Sequence, residues 1–168
     1  MITVYFKDCN RFSQNIYKKV IDNLPIFQLK CSCGKSGCLI LFGKYERQVK
    51  YMSRSISIEI QRVRCRECGR THALLPSLLV PYSWIPLKDQ QDILRSVEEG
   101  RSFLAVLERN PLIDESDVKY IVRQFRRHWK QRLLSAGLTL CDELIKPCFS
   151  RFSRQFMQIH RTPNILFH

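Results

Sequence analysis

The chain has 168 residues, 45% of them hydrophobic, which suits one packed domain or two small ones that share a core and excludes wholesale disorder. Lys and Arg number 28 against 15 Asp and Glu, and the resulting net charge of +13 favours a polyanionic partner such as nucleic acid. No apolar run approaches the roughly 20 residues of a membrane span, and the first residues lack the pattern of a signal peptide. We therefore expect a cytoplasmic protein without a membrane partner.

The start of the chain predicts a strand followed by a helix. Ile2, Val4 and Phe6 alternate with polar residues, as in a short strand with one buried face. Asn10 or Ser13 is then placed to cap a helix. We expect this unit to support the next segment and assign it no chemistry.

A Cys-rich segment, residues 30–72, holds five of the eight cysteines in two turns. In the second turn, Cys65 and Cys68 follow an alternating strand over residues 54–64 and precede a glycine, which is typical of zinc ribbons. A redox pair of the thioredoxin kind would need a βαβ setting, which the pattern lacks. Clustered thiols in a reducing compartment favour metal over disulfides. The segment therefore predicts one structural zinc ion.

The first turn offers three thiols for the two remaining ligand positions. Cys33 is the best placed because it precedes Gly34, as in the second turn. Cys31 is the predicted fourth ligand because a Cys-x-Cys pair can chelate. Cys38 is the alternate, since it begins an apolar run and a buried free thiol also fits there. His72 is expected to pack beside the site rather than bind the metal, because four better-spaced thiols exist.

The residues around the second turn predict a basic hairpin and a packed connection. An apolar run over residues 39–49 predicts the strand that pairs with 54–64. Residues 73–86 contain three prolines and several large apolar side chains, which predicts a linker that packs against its neighbours.

Three helices are predicted after the linker. Pro86 suits the first turn of one helix and Gly100 its C-terminal cap. Ser102 can cap a short second helix that stops before Pro111, and Asp114 can cap a third. Because the last two are joined by a tight turn, the pattern predicts a helix-turn-helix.

The third helix carries a core arc and a cationic arc side by side. Apolar residues from Val118 to Leu133, Trp129 among them, fall within about 120° on a helical wheel, and basic residues fall on the adjoining arc. No acidic residue occurs between Asp117 and Asp142, so we expect these cations to lack partners within the helix. The predicted DNA contacts are Ser116, Lys119, Tyr120, Arg123, Arg126, Arg127 and Lys130.

Three short sequences resemble a known group of proteins. They are Cys31-Ser-Cys-Gly, Arg62-Val-Arg-Cys-Arg-Glu-Cys-Gly-Arg-Thr-His-Ala-Leu-Leu-Pro and Val80-Pro-Tyr-Ser. With them the chain resembles small bacterial zinc-ribbon proteins associated with mobile elements, and is similar to the zinc-ribbon and helix-turn-helix front end of insertion-sequence transposases. The resemblance implies DNA binding at element ends or promoters, with a transposase or another element-encoded protein as a further partner.

These features together predict an α+β fold of five segments and leave the oligomeric state open. The segments are a supporting strand–helix unit (1–29), a zinc ribbon of β-hairpins (30–72), a packed proline-rich linker (73–86), a helix-turn-helix region (87–136) and a C-terminal helical tail (137–168). The aromatic rhythm of the tail predicts a closing helix over the core, or alternatively an amphipathic segment for a partner protein.

The predicted function is that of a zinc-containing protein that binds double-stranded DNA, as a transcriptional regulator or as an accessory factor of a mobile element. No catalytic activity is expected, because four thiolates would close the metal shell and leave no position for water. Two alternatives remain. One is an adaptor that docks a transposase or polymerase, and the other is an RNA-binding protein that uses Tyr45, Arg47 and Tyr51.

Overall fold

The computed structural model describes residues 1–6, 12–51, 53–160 and 164–166. It has an α+β fold, and none of its described helices combines the length and apolar character needed to cross a membrane. The elements in chain order are β1 (Ile2–Val4), α1 (Gln14–Asp22), a 3-10 turn (Ile26–Gln28), β2 (Leu39–Tyr51), β3 (Arg54–Cys65), β4 (Thr71–Pro76), α2 (Leu87–Glu98), α3 (Phe103–Glu108), α4 (Glu115–His128), α5 (Lys130–Ala136), α6 (Ile145–Phe152) and β5 (Asn164–Leu166).

The strands form one mixed sheet in the order β2-β3-β4-β1-β5. The long hairpin of β2 and β3 is antiparallel, and β4 continues it antiparallel to β3. The register of the hairpin shifts between Leu41 and Lys44, where Gly43 takes a positive φ of 61° that a bulge of this kind requires. β1 pairs in parallel with β4, so the first residues of the chain lie inside the sheet.

One hydrophobic core lies between this sheet and α1. Ser13 begins α1, and its hydroxyl accepts the N–H of Ile16 at 3.4 Å; Asn10, the other predicted cap, lies outside the described residues. The buried ring of Tyr17 packs in this core and its hydroxyl donates to the Leu74 carbonyl at 2.9 Å. The predicted supporting role of the first unit therefore takes the form of direct packing and strand pairing.

The predicted linker is partly a strand. Its first residues belong to β4, which places Leu74 and Leu75 fully inside the first core. Leu79 still belongs to that core, whereas Val80 belongs to a second one. The chain therefore crosses from one core to the other within a buried stretch.

The second core is built by the helices. α4 begins with a capping box, in which Asp114 accepts the N–H of Asp117 at 2.8 Å and the Asp117 side chain accepts that of Asp114. Lys50, near the end of β2, forms an ion pair with Asp117 at 2.8 Å. The hairpin and the first turn of α4 are thereby joined.

The predicted third helix is bent at Trp129, which separates α4 from α5. The helical hydrogen bonds persist across the bend, since the N–H of Trp129 donates to Phe125 at 2.8 Å and that of Leu133 to Trp129 at 2.9 Å. The indole is fully buried, with its ring edge-on to Phe152 and Phe156. We attribute the bend to the seating of this large ring among the residues of the tail.

The tail covers the second core with a helix and an irregular segment. α6 contains Pro147 in its first turn, where a proline is tolerated because that N–H needs no helical acceptor. Phe149 is buried within α6, and Phe156 and Met157 are buried after it ends. The closing helix is therefore shorter than the aromatic pattern predicted.

Candidate metal centre and basic helix face

Four cysteine sulfur atoms converge where the two predicted turns meet. The sulfurs of Cys31, Cys33, Cys65 and Cys68 all lie within 4.8 Å of one another. The Sγ–Sγ distance is 3.6 Å from Cys31 to Cys68 and 3.9 Å from Cys33 to Cys65. A tetrahedral ion with metal–sulfur bonds of about 2.3 Å requires sulfur–sulfur distances of about 3.8 Å. The donor set and its spacing therefore fit a metal ion such as zinc.

Each turn is closed by backbone hydrogen bonds and a glycine with positive φ. In the first, the N–H of Gly34 donates to the Cys31 carbonyl at 2.9 Å, and in the second the N–H of Gly69 donates to the Cys65 carbonyl at 3.0 Å. φ is 91° at Gly34 and 71° at Gly69, a region that glycine enters without steric cost. The Cys68 N–H donates to the Cys65 sulfur at 3.4 Å. The two turns are thus alike in construction.

The electrostatics of the centre favour the thiolate at Cys65. Burial by itself would raise the pKa of this thiol, but hydrogen bonds to its sulfur, foremost that from the N–H of Cys68, lower its pKa to about 6. An anionic sulfur at neutral pH is the form that binds a metal.

Cys38 lies next to the four-sulfur group but outside it. Its thiol is buried and lies 3.4 Å from the carbonyl of Lys35, to which it donates. Burial raises the pKa of Cys38 to about 12, because the charged form is poorly solvated there. The structure therefore places Cys31, and not the alternate Cys38, among the four clustered sulfurs.

His72 is a neighbour of the cluster, as the sequence predicted. Its ring is buried, and Nε2 lies 3.3 Å from the Cys31 sulfur. Nδ1 lies 3.1 Å from the amino nitrogen of Met1. Burial and the nearby positive charges of the N-terminus and Arg70 lower the pKa of His72 to about 4, so the ring is neutral at pH 7 and can orient a ligand thiolate by a hydrogen bond without binding the metal itself.

All seven residues predicted to contact DNA are exposed on one side of α4 and the start of α5. The opposite side of α4 is buried in the second core through Val118, Ile121, Val122 and Phe125. Phe103 of α3 adjoins the cationic side, where a shallow cleft of about 600 Å³ opens. The exposed residues are Ser116, Lys119, Tyr120, Arg123, Arg126, Arg127 and Lys130.

Three of these cations have carboxylate partners, and one pair lies within α4, which corrects the expectation that the cations lack partners within the helix. Lys119 lies 2.8 Å from Glu115, one turn earlier in the same helix, a pair that the sequence analysis overlooked. Glu98 of α2 lies 3.8 Å from Arg126 and 2.5 Å from Lys130. The two pairs with Glu98 depend on the packing of α2 against α4, so no local pattern in the sequence indicates them.

Two cations of the face keep an uncompensated charge. Among the described residues, neither Arg123 nor Arg127 has a carboxylate within 4.0 Å. The guanidinium of Arg123 instead lies 5.7 Å from the ring centre of Tyr120, a cation–π contact that leaves its charge available.

The aromatic residues considered for RNA binding are mostly engaged in the fold. The hydroxyl of Tyr51 accepts the N–H of Phe12 at 3.1 Å, and its ring meets the Phe12 ring edge-on. The guanidinium of Arg47 donates to two backbone carbonyls, those of Val80 and Ser83. Tyr51 and Arg47 therefore make contacts within the fold, whereas Tyr45 and part of Arg47 also line an open groove beside the loop of residues 80–85.

Residues 31–104 match the model of one protein family, which is described as a domain of unknown function, DUF6431. No curated protein and no solved structure matches the chain. The matched stretch starts at Cys31 and ends in α3, so it contains the whole sulfur cluster but not α4. Because the match links the chain neither to zinc ribbons nor to transposases, that resemblance stays a prediction.

Proposed function

We propose that the protein is a zinc-containing, double-stranded DNA-binding protein without catalytic activity of its own. The observation that carries the proposal is the exposed cationic side of α4, on which Arg123 and Arg127 have no carboxylate partner among the described residues. A solvated helix in an ordinary protein mixes charges of both signs on its exposed side. A basic helix fixed to a core by its other side suits insertion into the major groove.

The two ends of α4 are suited to different contacts with DNA. Recognition helices contact base edges with their N-terminal residues, which here are Ser116, Lys119, Tyr120 and Arg123. Arg127 lies one turn further on, where a helix leaving the groove meets phosphates. With 14 residues, α4 is about 21 Å long, which is sufficient for both kinds of contact.

The zinc ion has a structural role in this proposal. Cys31, Cys33, Cys65 and Cys68 would hold it, and four thiolates would occupy its whole coordination shell. The resemblance to the front end of insertion-sequence transposases supports action at a promoter or at the end of a mobile element. A regulator or an accessory factor of transposition is the role that fits best, with an element-encoded protein as a further partner.

Replacement of the two unpaired arginines should separate sequence recognition from general attraction. Arg123→Ala should weaken binding to a preferred duplex by about 1–3 kcal/mol and relax its sequence preference, because a base contact is lost. Arg127→Ala should weaken all duplexes equally and lower the salt slope by about one unit, because a phosphate contact is lost. The measurement is a salt series with a duplex selected from random sequence and a scrambled duplex. Parental binding by both variants would instead favour the adaptor hypothesis.

Neutralisation of Glu98 should strengthen duplex binding. Glu98→Gln removes the carboxylate that Arg126 and Lys130 share, so both cations become available to phosphates. Because partly exposed ion pairs contribute only about 0.2–1 kcal/mol, we expect affinity to rise about two- to fivefold on any sequence, with a steeper salt dependence.

The matched control for this change is Glu59→Gln. Glu59 pairs with Lys44 on the hairpin, at 2.6 Å, and its replacement changes the net charge by the same amount. An equal gain from both variants would mean that only the overall charge had mattered, and that Arg126 and Lys130 do not contact DNA.

A further inference from the structure

A groove separate from α4 lies between the sheet and the loop of residues 80–85. It has a volume of about 690 Å³ and is open to solvent along one side. Three aromatic side chains line it, together with two arginines and one carboxylate. These residues are Tyr45, Tyr82, Trp84, Arg47, Arg62 and Glu46.

Two of the rings are unusually exposed. Tyr82 is 77% exposed and Trp84 is 61% exposed, although both lie in a stretch whose other large side chains are buried. Exposed aromatic side chains that line one groove are candidates for ligand contacts, because a ligand that covered them would bury apolar surface. The Tyr82 ring is further oriented by an edge-on contact with His160, at 5.7 Å between ring centres.

The loop that presents these rings is held rigidly. Arg47 donates to the carbonyls of Val80 and Ser83, at 2.6 and 2.5 Å, and the N–H of Lys50 donates to the Trp84 carbonyl at 2.8 Å. The side-chain amide of buried Gln90 donates to the Ser83 hydroxyl and to the Ile85 carbonyl, both at 2.9 Å. Rings fixed in this way lose little conformational entropy when a ligand stacks on them.

The backbone at Tyr82 also adopts an uncommon conformation. Its φ is 62°, a left-handed conformation that costs a non-glycine residue free energy and that the surrounding hydrogen bonds maintain.

The charges in the groove favour an anionic ligand with flat rings. Among the described residues neither Arg47 nor Arg62 has a carboxylate within 4.0 Å, so two positive charges lie beside the single carboxylate of Glu46. Bases in a duplex stack on one another and cannot stack on these rings, whereas unpaired bases can. We infer that this groove binds unpaired nucleotides of a single strand, with bases stacked on Tyr82 and Trp84 and a phosphate near Arg62.

The chain contains two tryptophans, and this makes the inference directly testable. Trp84 is exposed and Trp129 is fully buried, so stacked bases should quench the fluorescence of Trp84 alone. The metal-bound full chain is titrated with thymidine and uridine oligonucleotides of about ten nucleotides, a length suited to such grooves. We expect quenching by at least one of them, its loss in Trp84→Phe, and an affinity about tenfold weaker in Trp84→Ala. The oligonucleotide that binds more tightly indicates whether the natural ligand is single-stranded DNA or RNA.

Two controls separate stacking from general attraction to a basic protein. Phe27→Ala removes an exposed ring (66% exposed) that does not line the groove, and should leave single-strand affinity unchanged. Trp84→Ala should retain the parental affinity for duplex DNA and the parental thermal stability. If the unmodified protein did not bind duplex DNA but its Trp84 fluorescence were still quenched by oligonucleotides, the function proposed for α4 would be contradicted and single-strand binding in the groove would be supported.

Three results would overturn the inference. One is an unchanged single-strand affinity in Trp84→Ala, and another is an equal loss in Trp84→Ala and Phe27→Ala. The third is that a proline-rich peptide quenches Trp84 and displaces the oligonucleotide at concentrations below that of the oligonucleotide. Grooves lined by aromatic residues also bind such peptides.

Discussion

Zinc should be lost, and the first core should unfold, when Cys65→Ser and Cys68→Ser are combined. The two residues supply half of the clustered sulfurs, and Cys65 is buried at the junction of β3 with the turn that leads into β4. Structural zinc contributes an apparent 10–16 kcal/mol at neutral pH, about as much as the whole stability of a typical domain. Elemental analysis and circular dichroism of the purified variant are the measurements.

The remaining cysteines supply matched controls for this experiment. Cys141→Ser changes an exposed thiol far along the chain and should retain one zinc per chain, and Cys38→Ser should also retain it, with a small loss of stability. Full metal content in the double variant would refute the centre. Metal loss in Cys38→Ser together with metal retention in Cys31→Ser would show that the fourth ligand is Cys38.

Trp129→Ala should destabilise the protein by about 3–5 kcal/mol, because it empties the largest fully buried site of the second core. The indole meets the rings of Phe152 and Phe156, with centres 6.0 and 5.4 Å apart, and so joins the bend after α4 to the tail. The Arg132 guanidinium lies 5.2 Å from its centre and would lose a cation–π contact. The free energy of unfolding is measured by denaturant titration.

Trp84→Ala is the matched control, since the same truncation at an exposed position should change stability by less than about 0.5 kcal/mol. Zinc content should be unchanged in Trp129→Ala, because the cluster belongs to the other core. A decrease in the free energy of unfolding of less than about 1 kcal/mol in Trp129→Ala would show that the packing of the tail does not depend on this ring. Simultaneous loss of zinc would show that the two cores unfold as one cooperative unit.

The hairpin and the cysteine turns were predictable because their signals are local. Alternation over 54–64 anticipates β3, and the cysteine–glycine spacing anticipates both turns, because each pattern follows from the geometry of a few consecutive residues. The caps at Ser102 and Asp114 were predictable for the same reason.

The features that could not be predicted depend on contacts between distant residues. The parallel pairing of β1 with β4 joins Ile2 to Leu74, and no local pattern specifies such a partner. Glu98 neutralises part of the α4 face through helix packing, and the Trp129 ring packs against a ring of the tail. The exposure of Tyr82 and Trp84 could not be predicted either, because it depends on how the loop of residues 80–85 packs. Two large aromatic residues between Pro81 and Pro86 were nevertheless a signal in the sequence.

The ion pair of Lys50 with Asp117 has a consequence for the scale of any complex. The sulfur cluster lies where Cys65 faces Leu39 at one end of the hairpin, and Lys50 holds the start of α4 near the other end. Lys50 lies eleven positions after Leu39 in β2, which corresponds to roughly 35 Å along the strand. One turn of B-form DNA rises by about 34–36 Å. The sulfur cluster and the N-terminus of α4 therefore lie toward opposite ends of the hairpin, separated along it by about the rise of one duplex turn.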